Sequence, residues 1–545
     1  MKTINNFKHL GLLLLLSAAF ACNDPEDVLA DFNALPSDSE VMPELTAGSV
    51  DFSKYVAVGN SLTAGFTDNA LFIAGQLNSL PNILANQFAL AGGGTFTQPM
   101  MNDNIGGLLF GGNPNPSFGP RLYFDGSGPA TLPGVPTTEV FVPSSGPYNN
   151  MGVPGAKSYH FLYDGYGNPA NLGVSANPYF VRMASAPNAT VIGDAVSQNP
   201  TFFSLWPGEN DVLGYAVTGG DGSDPITPLA GPPGVGFEQT YGAIVGAITA
   251  NGAKGVVSNI PDVTAIPHFT TVPYNPLDPS NPAFGPQIPT LNLIYGALNQ
   301  IFAAYGETDR IVQFSQEEAS AVVIQDETLT DFSAQITGGL LSNLPAFEAF
   351  IAQFGLPAAA APQVAGLLGL VYGQSRQATE DDLFVLPSSN VIGTVNTDNM
   401  AFLMSQGLSQ ELAGQFSVEG VSLPLADKWV LLPSEQMEIK SATEQFNTVI
   451  EAAATQAGLA FVDSNSLMEE LASGGFDSGG YVLTADLVLG GAFSLDGVHP
   501  TARGYALVAN EFLKAIDEAY GSNFEESGNL VNIGDYPTNY PPTLQ

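Results

Sequence analysis

Two short stretches near opposite ends of the chain hold residue types that, brought together, perform nucleophilic catalysis. The first, Val58-Gly59-Asn60-Ser61-Leu62-Thr63-Ala64-Gly65, sets a serine between glycines. The second, Ser494-Leu-Asp496-Gly-Val-His499-Pro-Thr-Ala-Arg-Gly504, carries a carboxylate three residues before a histidine. A serine hydroxyl needs a general base near neutral pH, ordinarily histidine. Of His9, His160, His268 and His499, only His499 sits in such a carboxylate-bearing loop. There, Asp496 can hold the second imidazole nitrogen and fix its tautomer. Other roles suit the same residues: strand-to-helix turns favour Gly and Ser for backbone and cap, and Asp496 and His499 suit an Asx turn and a helix cap. His160 and His268 read as structural or surface histidines.

Taken in order, four blocks of the sequence resemble those of the SGNH (GDSL) hydrolases. They are Gly59-Asn60-Ser61-Leu62, Asn150-Met-Gly152-Val-Pro-Gly155-Ala, Trp206-Pro-Gly208-Glu-Asn210-Asp211 and Asp496-Gly-Val-His499-Pro-Thr. The resemblance implies Ser61 as nucleophile, His499 as base and Asp496 as its partner. It also implies an oxyanion hole of the Ser61 N–H, the Gly155 N–H and the Asn210 amide. One departure is visible: Asn60 stands where the family has Asp. The implied fold is a three-layer α/β/α, flavodoxin-like SGNH hydrolase fold with a central parallel sheet and large insertions.

Other chemistries find little support. There is no HExxH or paired-histidine spacing, so no transition-metal site is expected. Asp221-Gly-Ser-Asp224 lacks the EF-hand spacing and reads as an acidic turn. No Gly-rich phosphate loop of the Rossmann or Walker type occurs, and hydrolysis without a cofactor is the expectation.

The elements that must position these residues follow from periodicity. Tyr55 to Val58 reads as a strand ending at Gly59, Leu71 to Leu90 has helical spacing, and Asn60 to Gly65 is the turn between them. Strands at Phe202 to Trp206, Gly255 to Asn259 and Leu459 to Val462 alternate with helices at Phe237 to Ala250, Leu291 to Tyr305 and Ser441 to Ala457. That alternation predicts a parallel sheet covered on both faces. A final helix, Tyr505 to Tyr520, follows the histidine loop. Between about 92 and 150, dense Gly and Pro predict ordered loop or short strands. Between about 316 and 430 the alternation breaks into short apolar helices cut by Pro345, Pro357 and Pro362. This insertion suits either a lid or acyl-binding wall, or an extra helical layer packed on the body.

The first 21 residues, with Lys2 and Lys8 before an apolar Leu10 to Phe20, read as a signal peptide. The chain's one cysteine, Cys22, follows small Ala19 and Ala21 and resembles the lipidated cysteine of bacterial lipoproteins. Asp24, Glu26 and Asp27 after it resemble the surface-export signal of Bacteroidota lipoproteins. Residues 22–50 read as an acidic tether, 51–520 as the hydrolase domain and 521–545 as a tail. The signal holds two of 13 basic and none of 52 acidic residues, leaving the remainder at −41. Such a charge disfavours nucleic acid as a partner.

The expectation is therefore an outer-membrane lipoprotein, facing the periplasm or the cell surface, that hydrolyses carboxylic esters of acyl lipids or acylated glycans. The competing expectation is a catalytically silent protein of the same fold that binds glycan or an outer-membrane partner. Oligomeric state is not legible from the sequence.

Overall fold

Residues 42–545 are described by a computed structural model. The expected signal peptide, Cys22 and the tether as far as residue 41 lie outside the described residues. Five strands make the central sheet: β1 (Tyr55–Gly59), β2 (Asn150–Gly152), β3 (Phe202–Trp206), β4 (Lys254–Ser258) and β5 (Ala460–Val462). Their order is β2-β1-β3-β4-β5, with every pair parallel. Every residue of β1 and β3 is buried, which requires cover on both faces.

That cover comes from two pairs of helices. Helix α1 is the single turn Ser61–Ala64, α2 is Leu80–Leu90, α3 is Asn210–Val217 and α4 is Phe237–Thr249. Helix α5 spans Ile288–Tyr305, α6 Ser333–Ser342, α7 Leu344–Ala352 and α8 Ala361–Tyr372. The last three are α9 (Pro433–Ala457), α10 (Ser464–Ser473) and α11 (Ala502–Tyr520). Helices α9 and α11 both pack against β4 and β5, with α4 beside α9 and α2 beside α11.

After β1 the chain lays β2 on one side, then crosses to place β3 on the other. The topological switch therefore falls between β1 and β3, where open α/β sheets bind ligands beyond the strands' carboxyl ends. Register aligns those ends: Gly59 lies opposite Gly152 on one side and Trp206 on the other. Asn60-Ser61, the Val153 to Gly155 loop and the Pro207 to Asn210 turn thus emerge side by side.

Several elements differ from their sequence reading. The expected Leu71 to Leu90 helix is two, Ile73–Leu77 and α2, because Ser79 caps the second through the Asn82 N–H and Pro81 lies in its first turn. Helix α9 begins at Pro433 rather than Ser441, its start fixed by Glu435 accepting the Leu432 N–H at 2.7 Å. It stops at Gly458, which takes φ +63°. Strand β2 was not foreseen.

The helical insertion has a hydrophobic core of its own, running from Val272 to Leu432 and including α5 to α8. It starts well before residue 316, and α5 belongs to it rather than to the sheet. Pro345 and Pro362 open α7 and α8, as prolines in a first turn do. None of its residues lines the cavity at Ser61, but Leu386, Pro387, Ser389 and Asn390 line a neighbouring cleft together with Asp496 and His499. The Gly/Pro-rich segment forms short antiparallel ladders, Leu109–Phe110 with Asn113–Pro114 and Leu122–Phe124 with Pro129–Thr131. No helix among the described residues is long and apolar enough to cross a membrane.

Candidate active site

Ser61 opens the one-turn helix at the end of β1. Asn60 caps it, its Oδ1 accepting the Leu62 N–H at 3.0 Å, and Gly65 closes it at φ +82°. A Cβ on Gly59 would fall 2.1 Å from Thr63 Oγ1, and one on Gly152 would fall 2.3 Å from the Ala64 nitrogen. Both glycines are thus needed for the serine turn to lie this close to β2. Ser61 is nearly buried, and its backbone N–H donates to no group among the described residues.

The Asp496-His499 loop comes to the same place from just before α11. His499 Nδ1 meets Asp496 Oδ2 at 2.9 Å. The carboxylate is also held by the N–H groups of Asn69 (2.8 Å), Val498 (2.9 Å) and His499 (2.9 Å) and by the Ser494 hydroxyl (3.0 Å). Burial alone would raise its pKa. The His499 charge and these donors outweigh that and hold Asp496 well below the usual carboxylate range. Phe66 packs on the His499 ring, centroids 4.7 Å apart.

The oxyanion candidates are tied together. Gly155 is exposed at φ +77°, with open space where a Cβ would lie and an N–H that donates to no group among the described residues. Asn210, in the first turn of α3, donates one amide hydrogen to the Ala156 carbonyl at 3.0 Å, leaving the other for a ligand. Buried Asp211 accepts the Ser158 N–H at 2.8 Å and its hydroxyl at 2.7 Å, which fastens the Gly155 loop to α3. Burial pushes the Asp211 carboxyl up to about 6, against those two hydrogen bonds.

Ser61, Asn210 and His499 line one cleft. No hydrogen bond joins the Ser61 hydroxyl to the His499 ring. Beside Asn60, Ser61, Glu209, Asn210, Ser464 and His499, the cleft is lined by apolar residues, among them Leu213, Val263 and Ile266, Leu467, Met468 and Leu471 of α10, and Leu507 and Val508 of α11. The α10 wall escaped sequence reasoning. Its signal was the Leu467, Met468, Leu471 spacing on one helical face.

The remaining histidines lie elsewhere. His160 stacks on Tyr166 and accepts the Lys157 N–H, and burial lowers it to about 4. His268 is buried behind the Asp496-His499 loop, its backbone N–H bonded to the Gly497 carbonyl at 2.9 Å. Asp221 forms the acidic turn, accepting the Ser223 N–H at 2.8 Å. Among the described residues one trio of carboxylates, Glu327, Asp427 and Glu435, brings oxygens within 4.8 Å of one another, a set suited to a hard cation. None of the three lines the Ser61 cleft, and Glu435 is already committed to capping α9.

No protein-family model, curated protein or solved structure matches the chain.

Proposed function

We propose that this protein is a serine ester hydrolase of the SGNH kind, acting on carboxylic esters with an extended apolar acyl chain, and held at the outer membrane through Cys22. The observation that carries the proposal is that Ser61, Asn210 and His499 line one largely apolar cleft at the sheet's switch point, with Asp496 bonded to His499 and the Gly155 loop fastened to the Asn210 helix through Asp211. In this reading Ser61 Oγ attacks the ester carbonyl while His499 takes the hydroxyl proton, and Asp496 stabilises the imidazolium. The oxyanion forms against the Ser61 and Gly155 N–H groups and the free Asn210 hydrogen. His499 returns the proton to the leaving alcohol, and water then cleaves the acyl-enzyme by the same route in reverse.

An apolar wall from α10 and α11 favours an acyl chain over an acetyl group, since each buried methylene contributes about 0.8 kcal/mol. The test is hydrolysis of nitrophenyl esters of graded chain length, with fluorophosphonate labelling. Wild type is expected to favour long chains, Met468→Trp to shift that preference to short ones, and Ser61→Ala to be inert and unlabelled. Inactivity on every length, with Ser61 unlabelled, would overturn the proposal. It would favour the second reading, a silent binding protein, for which the missing Ser61–His499 hydrogen bond is the supporting observation; that reading requires Ser61→Ala to leave the biological phenotype intact.

A further inference from the structure

Glu209 lies between Gly208 and Asn210 in the third block and lines the cleft beside Asn60 and Ser61. It is 4 % exposed. Its Oε2 accepts a hydrogen bond from the Asn60 side-chain amide, while its Oε1 is buried without a partner. No lysine or arginine pairs with it among the described residues. A buried carboxylate oxygen with neither a donor nor a cation is strongly disfavoured, whereas the neutral acid is tolerated.

Asn60 is oriented by the same contacts. Its Oδ1 must face the Leu62 N–H that it caps, so its amide nitrogen must face Glu209, which supplies the matching acceptor. Aspartate at this position would keep the cap but set a second carboxylate against Glu209. Two carboxyl groups in contact there would have to share a proton. The departure at Asn60 and the glutamate at 209 thus make one complementary pair.

We propose that Glu209 is a positioning residue that acts as an un-ionised acid, holding Asn60 and through it the Ser61 turn, and that its ionisation shuts the site down. The inference rests on Ser61 being the nucleophile. Losing the proton places an uncompensated negative charge in the wall where the oxyanion must develop, one residue from its Asn210 donor. Burial, with the Asp211 charge adding to it, pushes the Glu209 carboxyl up to about 8, against its own backbone N–H, the Asn60 amide and the Trp206 side chain, which all favour the ionised form. The other groups facing it are the Tyr241 hydroxyl on α4, itself buried without a partner, Trp206 at the end of β3, and His499 across the cleft. None of them supplies a fixed positive charge that would keep Glu209 ionised at neutral pH.

The test compares wild type, Asn60→Asp, Glu209→Gln and the double variant by the rate of Ser61 labelling with a fluorophosphonate across about two pH units either side of neutrality, with thermal melts confirming folding. Wild type is expected to lose labelling as pH rises through about 8. Glu209→Gln, whose amide oxygen still accepts from Asn60, should lose that alkaline limb. Asn60→Asp should label at least ~tenfold more slowly near neutrality, the size of a one-unit pKa penalty. In the double variant the introduced amide donates to the introduced carboxylate, and most of that loss should return. Multiplicative single effects, or an alkaline limb persisting in Glu209→Gln, would overturn the inference. A wild type unlabelled at every pH would instead remove the nucleophile on which it rests.

Discussion

Asp496 is buried yet carries the charge that the site needs, because four donors and the imidazole converge on it. Its pKa is depressed in the folded chain and ordinary, about 3.9, in the unfolded one. The unfolded state therefore binds the proton first on acidification. The stability that Asp496 contributes is complete above about pH 5 and is lost as pH falls through the folded value. Asparagine at this position keeps the loop's shape and one acceptor but offers His499 the wrong tautomer. Asp496→Asn is expected to lower ester turnover by roughly 10⁴ with the fold retained. Its melting temperature should fall below wild type at neutral pH, and the gap should narrow as pH drops below about 4, read by calorimetry. Equal turnover in the two proteins would remove Asp496 from the chemistry.

At the scale of elements, the parts legible in the sequence were those whose local preferences agree with their place in the fold. Tyr55 to Val58 and Phe202 to Trp206 are runs of apolar residues broken only by Ser204, and they are the interior strands that flank the switch point. The Asp496-His499 loop was legible because both chemical groups lie within four residues of each other. Strand β2 was not, since Asn150-Met-Gly152 has no β preference and is held by its pairing with Ala57 to Gly59. Nor was the division between cores: α5 has the same apolar spacing as a sheet-covering helix, and only its distant partners assign it to the insertion. Two separate cores have a measurable consequence. Ile336 in α6 is fully buried in the second one, and Ile336→Ala is expected to cost about 2–5 kcal/mol there. Hydrogen exchange should quicken across 272–432 while β1, β3 and α11 keep their protection; a uniform loss would show that both cores unfold as one.

Across the whole molecule, few basic residues balance an acidic chain, and several of those few are buried rather than spread over the surface. Arg121, Arg182 and Arg310 are all at most 4 % exposed and donate to backbone carbonyls. Most of those carbonyls lie in segments outside the strands and helices, where they would otherwise be buried unpaired. Arg121 is the most heavily used, donating to the carbonyls of Asn104, Leu122, Tyr540, Pro541 and Leu544. Two parts of the chain read from sequence as a Gly/Pro-rich loop and a tail are joined there, with Tyr540 set edge-on to Phe72, centroids 5.0 Å apart. Buried Asp68 lies within the same field and accepts the Leu495 N–H at 3.1 Å, which connects the junction to the Asp496-His499 loop. Removing residues 540–545 takes away three of the five carbonyls and leaves a buried guanidinium short of acceptors. The expected cost is about 3–5 kcal/mol by urea denaturation, the usual penalty for stranding a buried charge. Because most of that penalty belongs to the unpaired charge, Arg121→Met in the truncated chain should recover a large part of it, whereas Arg121→Met in the full chain should destabilise. If truncation and substitution simply add, the terminal residues contribute by packing alone, and the guanidinium does not hold them.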